Sequence, residues 1–115
     1  MSIVAVLLTS VVIYASDNAT CKINTVPGGY VYAELTSVNP LDNDGQKWNI
    51  SVNAYGMEEG RVTVVASYEC SNGETGSKEV VIAIYNGHGD GCARFPRIGG
   101  RVIKKDIQVY NPICK

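Results

Sequence analysis

Clusters of turn-forming residues recur at short intervals along this chain: Pro27-Gly28-Gly29, Asp42-Asn43-Asp44-Gly45, Glu58-Glu59-Gly60, Ser71-Asn72-Gly73 and Gly99-Gly100. Between them, apolar and polar residues alternate with a period of two, the pattern of strands that bury one face. Val31, Ala33 and Leu35 alternate with Tyr32, Glu34 and Thr36, and Trp48, Ile50, Val52 and Ala54 alternate with Lys47, Asn49, Ser51 and Asn53. Val62, Val64, Ala66, Tyr68 and Cys70 share a third apolar face. Residues 80–85 are apolar on both faces, as in a central strand, and the run 101–110 loses its alternation at Lys104-Lys105, where a bulge or a charge-protected edge is expected. No stretch sustains a period of 3.6, so at most a short helical turn is predicted.

Short strands at this spacing predict an all-β fold, a single immunoglobulin-like β-sandwich of about seven strands with an apolar N-terminal segment. A length of 115 residues suits one such domain. The expected organisation is an assembly segment over residues 1–15 followed by a head over 16–115. With 10 Lys and Arg against 11 Asp and Glu, the chain lacks the basic field that nucleic acid requires and any polybasic membrane patch.

The first 15 residues stand apart. One parity of this segment reads Ile3, Ala5, Leu7, Val11 and Ile13, and the other Val4, Val6, Leu8, Val12 and Tyr14. Both faces are apolar, so as a strand the segment must be covered on both sides. As a helix, thirteen residues span only ~20 Å against a hydrocarbon core of ~30 Å, which predicts no membrane span. No Lys or Arg precedes the apolar run, so it makes an incomplete signal peptide. Its content of Ile and Val suits a strand, and a terminal strand of this kind is the substrate of strand addition to a neighbouring sheet.

Cys21, Cys70, Cys92 and Cys114 lie far apart, with no Cys-x-x-Cys pair and one histidine in the chain. That spacing fits neither zinc ligation nor a thioredoxin-like motif, and an even count of isolated cysteines predicts two disulfides in an oxidising, extracellular compartment. Asn18-Ala19-Thr20 and Asn49-Ile50-Ser51 add two candidate acceptors for N-linked glycan.

The inward parity of Tyr68 and Cys70 resembles the Tyr-x-Cys of immunoglobulin-like domains, with Cys21 and Trp48 as the other core members. That resemblance implies a bond between Cys21 and Cys70, which would leave Cys92 for Cys114; all three connectivities stay open. The pattern over residues 47–86, two hairpin-linked strands and a third after an Asn-Gly turn, together with the apolar segment, resembles the β heads of archaeal extracellular pilus and thread subunits. The resemblance implies a homopolymer with Asn18 and Asn49 glycosylated on its exterior.

Other features read as architecture. His88, in Gly87-His88-Gly89-Asp90-Gly91-Cys92, has no nucleophile context and is expected in a flexible glycine loop. Asp42-Asn43-Asp44-Gly45 has its glycine fourth from the first aspartate, where a calcium loop wants it sixth, and reads as a tight turn. Glu58-Glu59 reads as a solvated turn. Tyr30 and Tyr32 share an outward parity and are candidates for a carbohydrate- or protein-binding face, with cross-strand packing as the alternative. The chain is therefore expected not to be an enzyme and to need no cofactor or metal. The expectation for function is a secreted structural subunit of an extracellular filament, with residues 3–14 inserting into a neighbouring copy. The alternative is a monomeric secreted binding module, an effector or adhesin, whose N-terminus is a signal peptide or its own first strand.

Overall fold

The computed structural model describes residues 16–115, so the apolar segment of residues 3–14 lies outside the described residues. The described chain is all-β, with seven strands: β1 (Asn18–Lys22), β2 (Tyr30–Pro40), β3 (Gln46–Tyr55), β4 (Glu59–Cys70), β5 (Thr75–Tyr85), β6 (His88–Phe95) and β7 (Val102–Cys114). A single 3-10 turn, Asp42–Asp44, is its only helical element among the described residues. The strands form one antiparallel sheet in the order β1-β2-β3-β6-β5-β4-β7. Long-range pairing of β3 with β6 and of β4 with β7 draws the ends of the chain around a common core.

The alternation in the sequence decides which face is buried. Val31 and Ala33 from β2, Trp48, Ile50 and Val52 from β3, and Val62, Val64, Ala66, Tyr68 and Cys70 from β4 all point into the core. Ile82 and Ile84 of β5, Ala93 and Phe95 of β6, and Ile107 and Val109 of β7 complete it. Trp48 packs edge-on to Phe95 at 4.9 Å and Phe95 edge-on to Tyr68 at 5.0 Å, an aromatic cluster that joins β3, β6 and β4.

Three expectations need correction. The runs named in the sequence account for five strands of the body, and β1 and β6 bring it to seven without the N-terminal segment. The segment around His88 is β6, paired with β3 from Asn53 opposite His88 to Gln46 opposite Phe95, and is not a glycine loop. Its entry is a hairpin turn in which Asn86 and Gly87 both take positive φ, 54° and 76°, the geometry that an Asn-Gly pair favours. The third correction concerns β5. It is not covered on both faces, since Val81 and Tyr85 are 61% and 69% exposed.

Beyond the hairpin, β5 and β6 pair in register only at Tyr85 opposite His88. The two strands then pass close to each other without a regular ladder. The glycines of β6 make the close approach possible. A Cβ on Gly89 would run into the backbone carbonyl oxygen of Ala83, and one on Gly91 would meet the Ile82 side chain at 2.8 Å.

The sheet nearly closes into a barrel. β1 lies alongside β7, with Ile107 N–H donating to Ser16 O at 2.9 Å and Thr25 Oγ1 4.0 Å from Cys114 Sγ. Because each neighbour in the strand order is antiparallel to the next, seven strands bring β1 and β7 together in the same direction.

Candidate functional site

The closing strand is shorter than the edges it must join. β1 has 5 residues against 11 in β2 and 13 in β7. Its ladder with β2 runs from Lys22 opposite Tyr30 to Asn18 opposite Glu34, and one further bond, Leu35 N–H to Asp17 O at 2.8 Å, ends it. Past that point, residues 36–40 of β2 have no backbone partner on their outer edge among the described residues. On β7 the bond to Ser16 is made at Ile107, and residues 102–106 have no partner on the side away from β4 among the described residues. The two edges draw together without bonding to each other. Between them opens a cleft of about 730 Å³, bordered by Val38 and Pro40, the turn at Leu41, and Ile98 through Val102 with Lys105.

Local sequence explains this seam. A register shift between Leu35 and Ser37 places an extra residue, Thr36, in β2 just where β1 stops, and turns Val38 inward opposite Trp48. A second shift, between Glu69 and Cys70, puts a bulge at Ile103 of β7, which bears out the irregularity expected beside Lys104-Lys105. Lys105 then lies opposite the inward Tyr68 and lines the cleft, while Lys104 stands 3.8 Å from Glu69. Charge at an unpaired edge discourages unspecific pairing. Asp106, next along, has a buried Oδ1 without a hydrogen-bond partner among the described residues.

No disulfide joins the four cysteines in the structure, and the strand registers set the expected pairs far apart. Cys70 lies opposite Val102, five residues before the Ile107 contact with Ser16, and Cys21 lies five residues beyond Ser16 along the parallel β1. About ten residues at ~3.3 Å each separate them along the seam, against a bridging limit of ~7 Å between Cα atoms. Cys92 faces outward on β6 opposite Asn49, and Cys114 sits at the end of β7 opposite Gly60, with β5 and β4 between the two strands. Sequence parity placed Cys70 inward correctly; the height of each residue along the sheet was not legible without the register.

Cys70 is buried, and burial pushes its thiol up, with the Glu74 carboxylate adding to the shift. Burial also raises Cys21. Cys114 is exposed. In the reduced protein a maleimide is therefore expected to modify Cys114 first and Cys70 only as the domain unfolds, since the thiolate is the nucleophile. Time-resolved mass mapping checks this; equal rates at the two sites would mean that the β4 end is open.

Of the glycan candidates, Asn18 is exposed on β1, and Asn49 faces outward on β3, half-buried, with its Nδ2 donating to Ser37 Oγ at 2.8 Å. The parity of Trp48, which is fully buried, sets Asn49 on the outer face as expected. The outer face also carries a tyrosine pair. Tyr30 lies opposite Tyr55 in register and stacks on it with centroids 4.7 Å apart, both exposed, while Tyr32 is half-buried. Nearby, His88 Nδ1 is 3.0 Å from Asn53 Oδ1 and Nε2 is 3.1 Å from Asp90 Oδ2, which occupies both ring nitrogens. Among the described residues no group of His, Cys, Asp and Glu is placed to hold a metal ion. The Asp42 segment is the tight turn expected, closed by Leu41 N–H to Gly45 O, with Asn43 and Asp44 in the left-handed region.

The seam is what sequence reading missed. Its one signal was the short polar run Ser16-Asp17-Asn18 ahead of Cys21, which marks where a strand begins but not how far its neighbours outrun it. No protein-family model matches the sequence, and neither curated proteins nor solved structures give a significant match.

Proposed function

We propose that this chain is a structural subunit of an extracellular filament, in which residues 3–14 of one copy complete the sheet of another. The observation that carries the reading is a pair of edges, residues 36–40 of β2 and 102–106 of β7, that have no partner strand among the described residues and flank a cleft where β1 falls short. Unpaired N–H and C=O groups on two facing edges offer main-chain hydrogen bonds to an added strand, and the cleft offers room for alternate side chains. Residues 3–14 have the matching chemistry: extended-chain propensity, both faces apolar and no charge. Strand addition from copy to copy does not close on itself and so gives fibres. Among the described residues seven strands make up the body, and the stretch of seam that β1 does not reach is about five residues long on each edge. The head is then an immunoglobulin-like sandwich in the broad sense, secreted, without catalytic or cofactor chemistry, and Asn18 and Asn49 on its outer face are the glycan sites.

The test is assembly. Full-length chain at high concentration is expected to form polymers visible by electron microscopy and sedimentation, and chain lacking residues 1–14 is expected to stay monomeric and to melt at a lower temperature. An intact chain that remains monomeric sinks the reading. The stacked pair Tyr30 and Tyr55, exposed beside His88 and Asn53, favours a second reading, a monomeric secreted binding module that uses this face for a carbohydrate or protein ligand.

A further inference from the structure

The direction in which a strand can enter the seam follows from where the seam is blocked. β2 and β7 run in opposite directions, so a strand between them is parallel to one and antiparallel to the other. One end of the stretch left without a partner among the described residues is closed by Ser16 and Asp17, which bond to Ile107 and Leu35. The other end opens at Leu41 and Gly100. Residue 15 is joined in sequence to Ser16, which stands at the closed end.

We propose that the strand contributed by a second copy enters N-terminus first through the open end, running antiparallel to β7 and parallel to β2, with its first residues lodged beside Ser16. This rests on the filament reading and specifies its polarity. A donor strand is tethered at its C-terminal end to its own body. If it ran the other way, that tether would have to leave the wall beside Ser16, to which the acceptor's own residue 15 is joined. In the proposed direction only the leading end of the donor arrives there, and the tether emerges at the open mouth. A tail folding back into its own seam must take the opposite direction, since it continues β1 backward: antiparallel to β2, with residue 15 deepest. Polarity therefore separates assembly from self-closure.

Lengths and chemistry agree with this placement. About five residues fit along each free edge, ~17 Å at 3.3 Å per residue, whereas residues 3–14 extend to about 40 Å. Residues 3–7 are all apolar and match that stretch; Leu8 then falls at the mouth, with Thr9 and Ser10, the polar pair in the segment, just beyond it. The remaining apolar residues bridge to the donor's body. Insertion requires β2 and β7 to part until the strands on each side of the donor stand at the ordinary spacing of ~4.8 Å.

Leucine occurs at four positions, and they suit the test: Leu7 and Leu8 in the segment, Leu35 at the closed end and Leu41 at the mouth. Full-length chains carrying photo-leucine, which keeps the size of leucine, are mixed as heavy- and light-isotope forms, polymerised, irradiated and mapped by mass spectrometry. The expected result is heavy-to-light crosslinks from Leu35 to residues 3–5 and from Leu41 to residues 7–10. Heavy-to-light crosslinks from Leu35 to residues 11–14 would overturn the polarity and leave the filament reading standing. Crosslinks confined within single isotope forms would overturn the filament reading itself. Polymers without any crosslink between the segment and Leu35 or Leu41 would remove the seam as the acceptor.

Discussion

Replacing Trp48 by alanine is expected to destabilise the domain by about 3–5 kcal/mol, out of a total that for single domains is about 5–15 kcal/mol. The indole is fully buried, and it is the largest side chain in the core. It contacts the Phe95 ring edge-on, and through Phe95 the Tyr68 ring, so its loss leaves a cavity between β3, β6 and β4 that the paired strands cannot collapse to fill. The Nε1 donor is satisfied by Gln46 Oε1 at 2.8 Å, so alanine also strands a partly buried acceptor. Urea unfolding followed by circular dichroism is the measurement. The midpoint should fall by more than about 1 M with little change in slope. Trp48→Phe, which keeps much of the volume and gives up the hydrogen bond, should fall much less. An alanine variant within ~1 kcal/mol of the parent would mean that the β3 register is wrong, and with it the outward placement of Asn49.

Gly89→Ala is the second large effect, about 3 kcal/mol, at the upper end of what overpacking ordinarily costs. The reason is what the new methyl would meet. At Gly89 it is the backbone carbonyl oxygen of Ala83, fixed in β5 between the hairpin and the β4 ladder, so the clash can be relieved only by separating β5 from β6. Gly91 supplies the control. There the nearest atoms belong to the Ile82 side chain, which can change rotamer, and Gly91→Ala should cost about 1 kcal/mol. Both glycines lie in the same strand, two residues apart and with the same inward parity, so backbone entropy and strand propensity nearly cancel in the comparison. Thermal melts of the two variants side by side decide it. Equal losses would show that the close approach of β5 to β6 is not what selects glycine at residue 89.

The Asn-Gly pair at residues 86 and 87 was a legible signal that the reading of a glycine loop passed over. A type I′ turn following an apolar run announces a second strand, and the glycines at 89 and 91 disguised it, because they lower strand propensity where the partner strand passes close. β1 was hidden for a different reason. Its residues, Asn-Ala-Thr-Cys-Lys, are short and mostly polar, and it becomes a strand through the bonds that the edge of β2 offers it.

Local sequence by itself determined the class and the inside of this protein. Period-two alternation set the inward residues of β2, β3 and β4, the buried Trp48 with Ile50 and Val52, the outward Asn49 and the turn at Asp42, because each of these depends on neighbours a few residues away. Tertiary structure alone decided how high each residue stands in the sheet, that Cys21 and Cys70 lie at opposite ends of it, and that β1 closes only half of the seam between β2 and β7. Those facts are set by register between strands up to about ninety residues apart in the chain, as in the bond from Ile107 to Ser16. A pattern that repeats every two residues specifies which face a side chain takes, and is silent on how far one strand slides along another.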